Sequence, residues 1–202
     1  RIGIQRPPGY PFSLNNAVDE LLKKEFDYYR DKQIPHPLME ENEIDAIPYQ
    51  HENLHNQTWR FNRKGVRYLD KKTNLEIFGS IDDLWIDNKT KEIMVVEYKA
   101  TSKKDEVSLD AEWQISYKRQ VEIYQWLLKN NNLPISNLSY FVYCNGIKDK
   151  NRFDEKLEFT IKLLSYKGDC NWVGNTLNLN YKTLNNEEPP KAKDDCVWCK
   201  YK

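Results

Sequence analysis

The sequence predicts an α/β domain built on a mixed central sheet flanked by helices. Three observations carry this. An apolar run, Ile93-Met94-Val95-Val96, has the β-branched character of a central strand covered on both faces. Residues 111–130 repeat Trp113, Tyr117, Val121, Tyr124 and Leu128 at intervals of three and four, the spacing of a helix with one buried stripe. The chain order, helix, three strands, helix, strand, is that of a layered α/β unit rather than a bundle or a sandwich.

The elements follow in order. Arg6-Pro7-Pro8-Gly9-Tyr10-Pro11 is a turn-rich opening. Ser13-Leu14-Asn15-Asn16 starts a helix in which Val18, Leu21, Leu22 and Phe26 share spacing. Residues 34–48, with Pro35, Pro37 and Pro48, read as irregular. A short strand is expected at Val66–Leu69, a longer one at Leu75–Ile86, a turn at Asp87–Thr90 and a third strand at Glu92–Lys99. After the helix, Asn130-Asn131-Asn132-Leu133-Pro134 breaks the pattern; strands follow at Leu138–Cys144 and Lys156–Leu164, and a weaker helix at Val173–Leu184. The whole is read as one domain over residues 1–202, with a cysteine-containing C-terminal extension from about 165 to 202.

Composition bounds the function. The 202 residues are 39% hydrophobic, enough for a real core. Lys+Arg and Asp+Glu number 31 each, so any affinity for phosphate must come from a local patch and not from the net field. No apolar run is long enough to span a membrane. The N-terminus is not of signal-peptide type and lacks a starting Met, as in a trimmed piece of a longer protein. The four cysteines, at 144, 170, 196 and 199, are too few for a disulfide scaffold and suit a reducing cytoplasm.

The chemistry is carried by alternation. Residues two apart on a strand share a face, so Glu97 and Lys99 project together. Asp82 lies fifteen residues upstream, on the preceding strand. If the two strands pair across the turn at 87–90, Asp82 lies beside Glu97. Two adjacent carboxylates repel, and one would take up a proton unless a hard cation intervened. A bound Mg²⁺ or Mn²⁺ can polarise a phosphodiester and acidify a water, while the lysine ammonium orients that water or steadies charge on the phosphate.

Gly79-Ser80-Ile81-Asp82-Asp83 and Glu97-Tyr98-Lys99 resemble the signature of PD-(D/E)XK nucleases. Gln120-Val121-Glu122-Ile123-Tyr124 resembles the QxxxY motif of the RecB-like branch, which includes RecB-type and CRISPR-associated exonucleases. The likeness spans residues 13–145, and the order and spacing of the motifs are more specific than any one of them. It implies a restriction-endonuclease-like core and a Mg²⁺- or Mn²⁺-dependent deoxyribonuclease, of exonuclease type, in repair, recombination or processing. DNA is the implied substrate, with a helicase or another recombination or repair protein as candidate partner.

Residue by residue, the resemblance makes Asp82, Glu97 and Lys99 catalytic. Asp82 and Glu97 hold the metal, and the Tyr98 backbone carbonyl completes the shell. Gln120 and Tyr124, with Tyr117 on the same helix, support the ligands or touch the substrate. The branch carries a His on its first helix; here Asp19 stands in that place, with Glu20 and Glu25 as alternatives. Asp82 is preferred to Asp83 because it follows Gly-x-Ile, and Asp83 points to the other face. The alternative is a catalytically weak or inactive nucleic-acid-binding module on the same fold.

Other residues admit blander readings. Lys103, Lys104, Lys118 and Arg119 could meet phosphates, but taken singly each is a solvated surface charge. Cys196 and Cys199 form a C-x-x-C, half of a four-ligand site. With Cys170, or with cysteines upstream of Arg1, it would hold a [4Fe–4S] cluster or a structural zinc; otherwise these are plain thiols. Cys144 reads as a small core residue. His36, His51 and His55 read as loop residues, and Trp85, Trp113 and Trp126 as core.

Overall fold

A computed structural model describes residues 12–188, 190–192, 194 and 196. The opening turn before residue 12 and Cys199 lie outside the described residues.

α1 (Ser13–Lys32) forms around Leu22, Phe26 and Arg30, which recur every fourth residue and are its buried face. It ends where Gln33 turns into the left-handed region and returns its amide to the carbonyls of Tyr29 and Arg30. The segment expected to be irregular contains order. His36 caps α2 (Pro37–Glu41), its Nδ1 accepting from the Leu38 amide at 3.1 Å, with Pro37 at the first helical position. β1 (Ala46–Pro48) follows as an edge strand, where a proline does not interrupt the ladder. His51 caps α3 (Glu52–His55) through its Nδ1 and stacks on Trp59. His36 and His51 are therefore helix caps rather than loop residues, and His55 closes α3.

The expected strand over Leu75–Ile86 is two strands in two sheets. β2 (Val66–Asp70) pairs antiparallel with β3 (Leu75–Gly79) in a separate hairpin. The chain then breaks at 80–82 and enters β4 (Asp83–Asp87) of the main sheet. The apolar residues on both sides of the break made it read as continuous. β5 (Ile93–Thr101) pairs antiparallel with β4 across the turn at 87–90, where Asp87 Oδ1 accepts from the amides of Lys89 and Thr90. α4 (Ile115–Asn130) is preceded by a single 3-10 turn at Glu112–Gln114, so Trp113 stands outside the helix. β6 (Ile135–Gly146) runs parallel to β5, and β7 (Phe159–Lys167) antiparallel to β6. α5 (Trp172–Asn185) follows.

The main sheet is mixed, in the order β1-β4-β5-β6-β7. Alternation along β5 divides the core. Ile93 and Val95 pack with Leu84, Phe141 and the α4 residues Val121, Leu127 and Leu128. Met94, Val96 and Tyr98 pack with Leu22 and Phe26 of α1, and with Met39, Trp85 and Cys144. Cys144 is a core thiol, as expected, and burial pushes its pKa up to about 11. Trp85 is fully buried and Trp126 packs against the α4-side core, but Trp113 is 52% exposed. No helix among the described residues is long and apolar enough to cross a membrane.

Candidate active site

Glu97 and Lys99 continue the row begun by Ile93 and Val95, and so emerge on the α4 face near the end of β5. The register Asp83↔Val96 sets Asp82 beside this row, one residue before β4 begins. Asp82 Oδ2 accepts from the Tyr98 amide at 2.9 Å, in effect extending the strand ladder with a side chain. Lys99 Nζ donates to Glu97 Oε1 at 2.6 Å and to Gln120 Oε1 at 3.3 Å, and lies 4.3 Å from the centre of the Tyr117 ring. Gln120 Nε2 donates to the Tyr124 hydroxyl at 2.8 Å. Tyr124 in turn packs close against Gly79, where a Cβ would stand 2.6 Å from its ring. Any other residue at 79 would push Tyr124, and with it Gln120, off Lys99. The sequence-expected Asp82, Glu97, Lys99, Gln120, Tyr124 and Tyr117 are thus brought together.

Asp19 also reaches the site, through a residue the sequence reading missed. Lys23 Nζ lies 2.7 Å from Asp19 Oδ2 and 3.1 Å from Asp82 Oδ1, a cation between two carboxylates. The signal was present in the i,i+4 spacing of Asp19 and Lys23 on α1. The alternatives to Asp19 do not join. Glu20 pairs with Lys24 on the surface, and Glu25 with His36 at 3.1 Å.

The charges are strained toward a cation. Burial, then the neighbouring Asp82 charge, pushes the Glu97 carboxyl up to about 8, against partial relief from Lys99. Burial and Asp82 likewise raise Asp19. Burial pulls Lys99 and Lys23 down, but the carboxylates outweigh it and leave both raised. Glu97 Oε2 is buried with no hydrogen-bond partner. An orphaned carboxylate oxygen, beside a carboxylate that repels it, is a donor set suited to a hard divalent cation. As the side chains stand, no group of three or more His, Cys, Asp or Glu among the described residues is arranged to hold a metal. The Lys23 ammonium instead stands between the Asp19 and Asp82 carboxylates. A divalent ion shared by Asp19 and Asp82 would take the place of that ammonium.

Beneath the site runs a buried ionic network. Asp83 is fully buried on the α1 face, paired to Arg30 and, at 3.3 Å, to Arg60, and it accepts from the Tyr98 hydroxyl at 2.7 Å. Desolvation alone would raise its pKa, but the two guanidiniums hold it below the usual carboxylate range. Arg60 also donates to the Asp82 carbonyl at 2.8 Å and pairs with Asp27 at 2.7 Å. Asp83 thus points away from Asp82, as expected, and holds the Tyr98 hydroxyl and Arg60, which in turn holds the Asp82 carbonyl.

A cleft of about 330 Å³ opens beside the site between the start of α1 and the end of β5, lined by Asn15, Asn16, Asp19, Lys99, Tyr117 and Phe12 among others. Midway along α4, Glu122 accepts from Tyr166, Trp172 and the Asp169 amide, tying the start of α5 to the core. Cys170 is buried nearby and Cys196 is half-buried; neither belongs to a metal-type cluster among the described residues.

Fold and site together define a class: a mixed-sheet α/β protein with carboxylates and a lysine gathered where β4 begins and its antiparallel neighbour β5 ends. The family model of the PD-(D/E)XK nuclease superfamily matches residues 11–202, and the chain belongs to that superfamily. Its members are typically metal-dependent phosphodiester hydrolases. No curated protein matches the chain significantly.

Proposed function

We propose that the protein is a Mg²⁺- or Mn²⁺-dependent deoxyribonuclease of the RecB-like branch, with Asp82, Glu97 and Lys99 as its catalytic residues. The observation that carries this is the Glu97 carboxylate, buried with one oxygen unpartnered and pushed up to about 8 beside Asp82. Asp82 and Glu97 hold the ion, with Asp19 and the Tyr98 carbonyl as further oxygen donors. When bound, the ion supplies Lewis-acid polarisation of the phosphodiester and acidifies water. Lys99 steadies negative charge on the phosphate and orients the attacking water. Gln120 and Tyr124 keep Lys99 in register, and Tyr117 forms a wall of the cleft that receives the strand. The chain acts as one domain, in the cytoplasm, in DNA repair, recombination or processing beside a helicase or similar partner. The experiment is a panel of end-labelled single-stranded DNA, duplex DNA and RNA incubated with either ion, with Asp82→Asn as control. Ion-dependent cleavage of DNA that Asp82→Asn abolishes is expected; cleavage of RNA alone would reassign the substrate.

A second reading, a nucleic-acid-binding module with little or no catalysis, is favoured by one observation: the Lys23 ammonium already bridges Asp19 and Asp82. The two readings part at Lys23→Gln. If the ammonium competes with the metal, its removal raises Mn²⁺ affinity by about tenfold or more, because a repelling positive charge is gone and tenfold is only ~1.4 kcal/mol. The metal-free melting temperature falls at the same time, since Asp19 and Asp82 lose their counter-ion. Calorimetric titration and thermal melting measure both; unchanged Mn²⁺ affinity would favour the binding module.

A further inference from the structure

Trp113 is out of place for a core residue. Its neighbours in the chain are firmly held. Gln114, 1% exposed, accepts from the Ala111 amide at 2.9 Å and donates to the Ser108 carbonyl at 2.6 Å. Ser116 Oγ donates to the Trp113 carbonyl at 2.9 Å. Val107 and Leu109, just before, are buried in the core. The turn is therefore well anchored, and it holds the Trp113 indole outward, 52% exposed.

The surroundings of that indole are specific. Its ring meets Tyr117 edge-on at 5.3 Å between centroids, and Tyr117 lies 4.3 Å beneath the Lys99 ammonium. Lys103 Nζ stands 5.1 Å from the Trp113 ring, and Lys104 follows in the chain. An aromatic path thus runs from solvent, through Tyr117, to Lys99, with cations along it. Tyr117 and Lys99 line the cleft, and the exposed Phe12 lines it too.

The geometry points to Trp113 as a stacking platform for an unpaired base of a single-stranded nucleic acid, next to the base whose phosphate reaches Lys99. Aromatic faces bind bases through stacking without reading sequence, and nearby lysines hold the backbone. A duplex keeps its internal base faces covered, so the platform discriminates for single strands or frayed ends. A protein partner would not need the indole to be continuous with the wall of the cleft. This inference rests on the nuclease reading of the cleft, and it adds the strand preference and the residue that sets it.

Equilibrium binding of fluorescein-labelled oligo(dT) and of a blunt duplex, in EDTA, tests it on the full chain. Trp113→Ala should weaken oligo(dT) binding by about tenfold, the order of one lost stacked base. Trp113→Phe should restore most of it, and duplex affinity should change less than about twofold, because no base face is lost there. Oligo(dT) should also quench tryptophan fluorescence in the wild type but far less in Trp113→Phe. An equal loss on both substrates, no loss on oligo(dT), or no wild-type binding of oligo(dT) would overturn the proposal. If oligo(dT) binds through Trp113 but no ion supports cleavage of any substrate, the platform stands and the nuclease reading fails.

Discussion

Lys99→Ala should abolish cleavage while the fold survives. The Lys99 ammonium meets the site residues Glu97, Gln120 and the Tyr117 ring, and the residue lies near the end of β5. Its removal takes away the counter-charge hydrogen-bonded to Glu97. That carboxyl is already pushed up to about 8, so near neutrality it can hold a proton rather than strain the fold. Losing a positioned cation at a developing charge typically costs about a hundred- to a thousandfold in rate. Initial rates on labelled DNA, set against thermal melts of both proteins, measure the two effects separately. A variant that melts normally and cuts at the wild-type rate would remove Lys99 from the chemistry.

Arg30→Met should produce the largest loss of stability. Arg30 is 2% exposed and pairs with Asp83, which is fully buried, and with Asp27. Methionine fills much of the same volume but strips Asp83 of one guanidinium. Breaking one side of a buried ion pair costs about 3–5 kcal/mol, because the remaining charge stays desolvated. Arg60 and the Tyr98 hydroxyl still reach Asp83, which places the expected loss at the lower end, about 3 kcal/mol. Urea unfolding measures it. Activity should fall further than stability alone requires, because Arg60 holds the Asp82 carbonyl and Asp83 holds the Tyr98 side chain. A loss under about 1 kcal/mol would mean that the network is no more than a surface ion pair in its energetics.

The legible part of this molecule is the part written in local periodicity. The β-branched run at 93–96 announced a central strand, and strict alternation then forced Glu97 and Lys99 onto one face. The 87–90 turn announced the hairpin that brings Asp82 beside them. The buried ionic network was not legible, because Asp27, Arg30, Arg60 and Asp83 come together only through tertiary packing. One signal was available: Arg30 sits four residues after Phe26, a charge on the apolar stripe of α1. The break at 80–82 was hidden by apolar residues on either side, and Gly79 was its only marker. Trp113 misled for a related reason. Helical spacing extrapolated one turn too far places it in the core, whereas α4 begins at Ile115.

The carboxylate site also fixes how pH should act. The Glu97 pKa is raised in the folded state, so the folded chain binds this proton more tightly than the unfolded chain does. Stability from Glu97 in the metal-free protein is therefore full at acid pH and is lost as pH rises toward about 8. Metal affinity should move the opposite way, because the ion must displace that proton.

Calorimetric titration with Mn²⁺, at about pH 6.5 and about pH 8.5, of the wild type and Asp82→Asn tests the central claim most directly. One site on the wild type is expected, at least tenfold tighter at the higher pH and releasing a proton at the lower, with binding lost in Asp82→Asn. Binding of equal strength in both proteins would contradict it.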